Sequence, residues 1–187
     1  MTPDPLAERK QRLRARALEV RAGCDPALGS ELARHVLAEC PPPAGAVVAG
    51  FWPIRDEIDI RPLLHSLHDR GHKIALPATG KRGNALIFRQ WRPGAALEPE
   101  PFGTLRPTGE VLRPDFLLVP LLAFDRRGGR IGYGAGFYDR TLAALPSAFA
   151  LGCAFAAQEV AEVPVGPYDV RLDAVATECR VIFCKDQ

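Results

Sequence analysis

Apolar residues along this chain follow two rhythms. Leu6, Leu13, Ala17 and Val20 fall on one helical stripe, which predicts an amphipathic helix over residues 6–22. A second helix is predicted from DPALGSELARHVLAEC, with Asp25 placed to cap it, Pro26 at a first helical position and the triple proline at 41–43 ending it. The rhythm then shortens. AVVAGFW (46–52) is an apolar run bounded by breakers and predicts a buried strand. IRPLLHSLHDRG predicts a helix stopped by Gly71, and KIALP and ALIFRQW predict strands on either side of a polar turn.

Residues 92–114, rich in proline and glycine, predict a long loop, and loops of that length tend to be functional or mobile. DFLLVP follows as a strand. Beyond a glycine-rich stretch come a short helix, FYDRTLAAL, and three more strands, AFALGCAFA, LDAVAT and CRVIFC. Strands separated by helices predict an α/β fold, with a mostly parallel sheet flanked by helices on both faces. No internal repeat or domain boundary interrupts the pattern, so residues 1–187 are expected to form a single domain.

Composition narrows the function classes. At 187 residues, 47% hydrophobic, the chain can bury a sizeable core without disulfides or metal. A net charge of +2 gives no sign of a nucleic-acid partner. No apolar run reaches the roughly 20 residues of a membrane helix. The charged N-terminal segment does not look like a secretory signal, and the expected location is the cytoplasm. The five cysteines show no CxxC spacing and are expected to be reduced thiols. His65 and His68 would share a helix face, but His72 lies beyond Gly71 and no further ligand completes a zinc site, so solvated histidines are expected.

The candidate chemistry lies in RIGYGAGFYDR (130–140). Neither a Walker A loop nor a dinucleotide fingerprint matches, because Phe137 stands where the last glycine of the latter belongs. What remains is GxGxG between a strand and a helix. Bare backbone there can turn several N–H groups toward one phosphate, or can simply make a tight turn. Arg130 could meet a phosphate as a fork of donors. Asp139 could hold magnesium or pair with Arg140 on the helix surface. Tyr133, Phe137 and Tyr138 offer flat faces to a flat ligand, or to the core. On the first helix, Lys10, Arg14 and Arg21 share one angular sector, which fits either a solvated basic face or a polyphosphate site.

LLVPLLAFDRRGGRIGYGAGFYDR closely resembles the signature of the 5-formyltetrahydrofolate cyclo-ligase family. KQRLR near the start, FWPIRDEIDI, GHKIALP, Gln158, the following VP, and LDAVATE extend the resemblance over nearly the whole chain. It implies ATP-dependent closure of 5-formyltetrahydrofolate to 5,10-methenyltetrahydrofolate, with magnesium, on a fold related to sugar-phosphate isomerases and CoA transferases. ATP would lie among Lys10, Gln11, Arg12, Leu13 and Arg14, and among Arg130, Ile131, Gly132, Tyr133, Gly134, Ala135, Gly136, Phe137 and Tyr138. Arg130, Lys10 and Arg14 would carry the catalytic positive charge. Trp52 and Glu57 would contact the folate, with Tyr133 to Phe137 closing over it, and Asp139 and Asp173 would hold magnesium. The expected assembly is a monomer or weak homodimer. Other readings are a non-catalytic nucleotide- or folate-binding paralogue, or an isomerase- or transferase-like enzyme on the same fold. One departure stands out. Arg106 occupies the place where relatives carry a glutamate before proline, while Glu98 and Glu100 lie just upstream in another register.

Overall fold

The computed structural model describes residues 4–184. Helices α1 (Pro5–Ala22) and α2 (Gly29–Glu39) come first, followed by β1 (Val47–Ala49), α3 (Arg61–Asp69), β2 (Lys73–Ala78) and β3 (Ile87–Trp91). The middle of the chain holds β4 (Leu97–Pro99), β5 (Leu105–Pro107), β6 (Val111–Leu112), β7 (Phe116–Pro120), β8 (Ala123–Phe124) and β9 (Arg130–Ile131). Helix α4 (Phe137–Ala144) and strands β10 (Phe149–Cys153), β11 (Ala174–Ala176) and β12 (Val181–Phe183) complete it.

Eight strands form one sheet in the order β12-β11-β10-β7-β1-β2-β3-β6. The central strands, β11 to β2, are parallel, and antiparallel pairs lie at both edges. Alternation along each strand splits the core into two layers. Val48, Ile74, Leu76, Leu118 and Leu151 point to the face covered by α2 and α3, where they meet Leu32, Val36, Leu63 and Leu67. Ala49, Ala75, Leu117, Val119 and Ala150 point the other way, toward Leu142 of α4. The expected α/β fold with helices on both faces is the one observed.

Two expectations change. The proline-rich stretch at 92–114 is not one loop, because β4 and β5 pair as a hairpin and β6 joins the sheet edge. Strands this short, broken by prolines, carry no readable period. His72 is buried, with Nδ1 on the Ala46 carbonyl at 3.1 Å, rather than solvated. None of the five cysteines is in a disulfide, and burial pushes the Cys40 and Cys153 thiols upward.

After β7 the chain leaves the sheet, makes the β8–β9 hairpin and enters the glycine loop. The tip of that hairpin closes on Asp125, which is 1% exposed. Its carboxylate accepts the N–H groups of Arg127, Gly129 and Val163 at 2.8–3.0 Å. Gln158 clamps the base. Its Oε1 accepts from Phe155 N–H, and its Nε2 donates to the carbonyls of Leu121 and Leu122. Both polar groups are fully engaged, which is what makes their burial tolerable.

Asp125→Asn is isosteric but turns one acceptor oxygen into a donor facing an N–H. It should destabilise the fold by roughly 2–4 kcal/mol, read from urea denaturation. Unchanged stability would mean that the charge at this turn is dispensable.

Candidate active site

Segments that follow the C-terminal ends of neighbouring parallel strands converge at one end of the sheet, where α/β folds place their ligands. β1 leads into residues 50–60, β7 leads through its hairpin into the glycine loop, and α1 packs across that hairpin. The packing is apolar: Leu13, Ala17 and Leu18 of α1 meet Leu122, Ala123, Ile131 and Val163.

The face that α1 turns inward is not the one predicted. Val20 is 38% exposed, whereas Arg21 is 1% exposed. The cationic sector therefore faces the protein. Arg14 Nε donates to the Gly132 carbonyl at 2.8 Å. Lys10 forms an ion pair with Asp169, whose carboxylate also accepts the Gly166 N–H. Burial works against the Asp169 carboxylate, but Lys10 and that N–H outweigh it and hold it below the ordinary aspartate range.

Gly134 (φ +96) and Gly136 (φ +69) adopt left-handed backbone conformations that other residues reach only with strain. A Cβ on Gly134 would also stand 3.2 Å from the Arg14 guanidinium carbon. Gly136 is the N-cap of α4 and supplies no capping side chain. The first-turn N–H groups of Phe137 to Asp139 thus have neither an intrahelical acceptor nor a cap. Arg140 pins the loop from outside, donating to the Ala135 carbonyl at 2.6 Å and to the Asn84 carbonyl at 3.1 Å while lying over the Phe137 ring.

Asp139 does not pair with Arg140. Its Oδ1 accepts from Arg130 Nη2 at 2.8 Å and from the Val170 N–H at 3.1 Å, and Arg130 also donates to the Val170 carbonyl. Asp173 lies at the opening end of β11, where its Oδ2 accepts the Ala150 N–H at 2.7 Å. That is the end of the strands away from the glycine loop. Among the described residues no group of three or more His, Cys, Asp or Glu side chains converges.

The other side of the site is the turn after β1. Glu57 and Ile54 bind one another twice, through Ile54 N–H to Glu57 Oε2 at 3.0 Å and Glu57 N–H to the Ile54 carbonyl at 3.1 Å. The turn holds Arg55 at φ 53, a left-handed conformation that a non-glycine residue adopts only with strain. Glu57 is 5% exposed, and burial pushes its carboxyl up to about 6 against the pull of Ile54 N–H, Arg21 and Tyr133. Trp52, half-buried, meets Trp91 edge-on at 5.7 Å and has the Arg61 guanidinium over its ring.

Lys10, Arg14, Arg130, the loop from Gly132 to Tyr138, Glu57 and Trp52 therefore all belong to the convergent end of the fold. Gln11 and Arg12 are exposed on α1, Leu13 is taken up by apolar packing, and Ile131 is buried. Arg106 points outward, paired with its cross-strand partner Glu98 at 3.1 Å. Glu100 turns inward, and both of its oxygens accept the Thr79 N–H at 2.9 Å, just past the C-terminal end of β2. Sequence reasoning missed Asp169, Asp56 and Asp125, which lie far along the chain from the groups they hold or read as surface acids.

The family model for the 5-formyltetrahydrofolate cyclo-ligase family matches residues 6–178. The chain belongs to this family. It is thus a ligase-type enzyme. The 5-formyltetrahydrofolate cyclo-ligase of Escherichia coli strain K12 is 33% identical over 168 residues, covering 82% of this chain and 90% of that one. That of Mycolicibacterium smegmatis is 35% identical over 150 residues, covering 74% and 77%. Among solved structures, the 5,10-methenyltetrahydrofolate synthetase of Aquifex aeolicus superposes with a TM-score of 0.80 at 27% identity, covering 95% of this chain and 94% of that one.

The raised Glu57 carboxyl has a sign that can be checked. Between about pH 4.5 and 6 the folded protein keeps a proton that the unfolded chain has lost, so this group's contribution to stability falls as pH rises. Glu57→Gln has no such loss. Its stability relative to the parent should improve by roughly 2 kcal/mol from pH 4.5 to pH 7 in urea titrations. A gap that does not move with pH would show that Glu57 titrates normally.

Proposed function

We propose that this chain closes 5-formyltetrahydrofolate to 5,10-methenyltetrahydrofolate with cleavage of ATP, at the end of the sheet where α1, the glycine loop and the Trp52–Asp59 segment meet. The observation that carries the reading is the uncapped start of α4 beneath a loop ringed by Lys10, Arg14 and Arg130. Unsatisfied N–H groups at a helix start and a ring of cations make a phosphate site.

A formamide oxygen is a weak nucleophile, so the protein's task is to place it against the γ-phosphorus and to neutralise charge. Lys10, Arg14 and Arg130 surround the phosphates, and the loop amides hold their oxygens. The formyl oxygen takes the γ-phosphoryl group from ATP, releasing ADP; N10 then attacks the activated carbon, and ring closure expels inorganic phosphate together with the N10 proton. No protein nucleophile is needed. Glu57, with Trp52 beside it, accepts the paired N–H donors of the pterin ring, and Tyr133 closes the gap between the two substrates.

The donor set suits magnesium held mainly by phosphates, since that ion commonly takes one or two carboxylates and fills its remaining positions with phosphate and water. Asp139 fits as the carboxylate: Oδ1 is taken by Arg130 and Val170, leaving Oδ2 for the metal or its water. Held there, magnesium would neutralise charge on the phosphoryl oxygens. We assign the contact to Asp139 rather than Asp173, which stands at the other end of the strands. Among the described residues no helix is long and apolar enough to cross a membrane.

Turnover should require both ATP and magnesium, followed as growth of methenyl absorbance with 5-formyltetrahydrofolate. Equal product with a non-hydrolysable ATP analogue would sink the mechanism. The same assay decides the Arg106 question. Because Arg106 is exposed and paired only with Glu98, Arg106→Glu should leave turnover within about twofold of the parent, as surface pairs are worth little. Glu100→Gln should raise the folate KM if Glu100 supplies the carboxylate that relatives place at the Arg106 position. A silent parent rescued by Arg106→Glu would instead mark a non-catalytic paralogue.

A further inference from the structure

Arg21 is sealed inside the protein, yet the site as described gives it no task. Its side chain is 1% exposed. Nε and Nη2 donate to Asp56 Oδ1 at 3.1 and 2.7 Å, and Nη2 also reaches the Tyr133 hydroxyl at 2.6 Å. Nη1 is buried without a hydrogen-bond partner and lies 3.8 Å from Glu57 Oε1. One guanidinium therefore touches both the Glu57 turn and the glycine loop, with its Cζ 5.5 Å from the centre of the Tyr133 ring.

Anchoring α1 does not call for such an arrangement. An apolar side chain would pack the helix without taking a charge out of water, and a buried ion pair is often no more stabilising than its apolar replacement. The cost makes sense if the charge acts on Glu57. That carboxylate sits in a dry pocket, where an isolated anion would take up a proton, and a neutral acid, with a proton on one oxygen, cannot offer both oxygens to a side-by-side pair of N–H donors.

We propose that Arg21 is the positioning residue of the folate subsite, holding Glu57 ionised and, through Tyr133, aligned with the glycine loop. This rests on the assignment of Glu57 to the pterin ring. The groups that act on Glu57 come from every neighbouring element: Arg21 from α1, Asp56 from its own turn, Tyr133 from the loop and Tyr138 from α4. Of these, Arg21 is the cation and Asp56 the competing anion. Asp56 both repels Glu57 and draws two of the guanidinium's bonds to itself.

The two partners therefore predict shifts of opposite sign. Removing Arg21 leaves Glu57 easier to protonate, so the pH at which folate affinity is lost should rise. Arg21→Met should move that inflection from about 6 upward by about one unit or more and weaken folate binding at pH 7 by about twofold or more. Asp56→Asn, at a half-exposed position that tolerates change, should move it down. Arg21→Lys keeps the charge without the fork and should fall between parent and Arg21→Met.

The experiment is calorimetric titration of 5-formyltetrahydrofolate into each variant from pH 5.5 to 8.5. A parallel titration uses a non-hydrolysable ATP analogue with magnesium. The Glu57 carboxyl is also followed by carbon NMR in the ligand-free protein, its resonance identified by loss in Glu57→Gln. Opposite shifts, with nucleotide affinity within about twofold of the parent, support the proposal. Shifts of the same sign, no shift, or equal losses for nucleotide and folate overturn it, the last because it would show only a loosened α1. Should Arg21→Met not fold, Asp56→Asn and Arg21→Lys still give the sign. If the NMR shifts appear but folate affinity ignores them, Arg21 controls Glu57 and the folate assignment is the part that fails.

Discussion

The whole arrangement depends on a helix that presses its cations inward. Lys10, Arg14 and Arg21 recur along α1 beside Leu13 and Ala17, so the apolar contact that docks the helix also drives positive charge into the protein. Each cation then needs a partner, and the partners are what build the site. Gly132 offers a carbonyl, Asp169 a carboxylate, and Asp56 with Tyr133 a shared acceptor. The hairpin must hold still for this to work, which is the part played by Asp125 and Gln158 at its two ends.

Pairing in advance also shapes how phosphate would be received. Lys10, Arg14 and Arg130 are already partly desolvated and held by neutral or anionic oxygens. On the proposed reading, an arriving phosphate would replace or join those oxygens rather than strip water from mobile side chains. Such preorganisation is the form in which charge is most useful to phosphoryl transfer. The bond from Arg130 to Asp139 places the cation and the remaining carboxylate oxygen within one first turn of α4.

Most of the fold was legible because buried strands and amphipathic helices leave strong periods. The central parallel strands, α3 and α4 all fall where the apolar runs place them. The glycine loop was legible for a different reason: bare backbone between a strand and a helix is a rare composition. What could not be read was direction. On α1 the stripe was drawn through Val20, while the helix rotates Arg21 inward, because an apolar count cannot know that Asp56 and Tyr133 wait there. Asp169 is also silent in sequence, since nothing near it announces Lys10, 159 positions away.

The β4–β5 hairpin sends two nearby carboxylates, Glu98 and Glu100, in different directions. β4 and β5 pair antiparallel with Glu98 opposite Arg106, so one face of the hairpin carries a self-neutralising exposed pair. Side chains alternate along a strand, and a residue at the same register on that face cannot also turn to the core. Glu100 escapes the constraint because it lies past the end of β4, where the backbone turns and the Thr79 N–H draws its carboxylate inward. That carboxylate stands beside the end of β2, whereas position 106 stays on the exposed face of the hairpin, paired with Glu98.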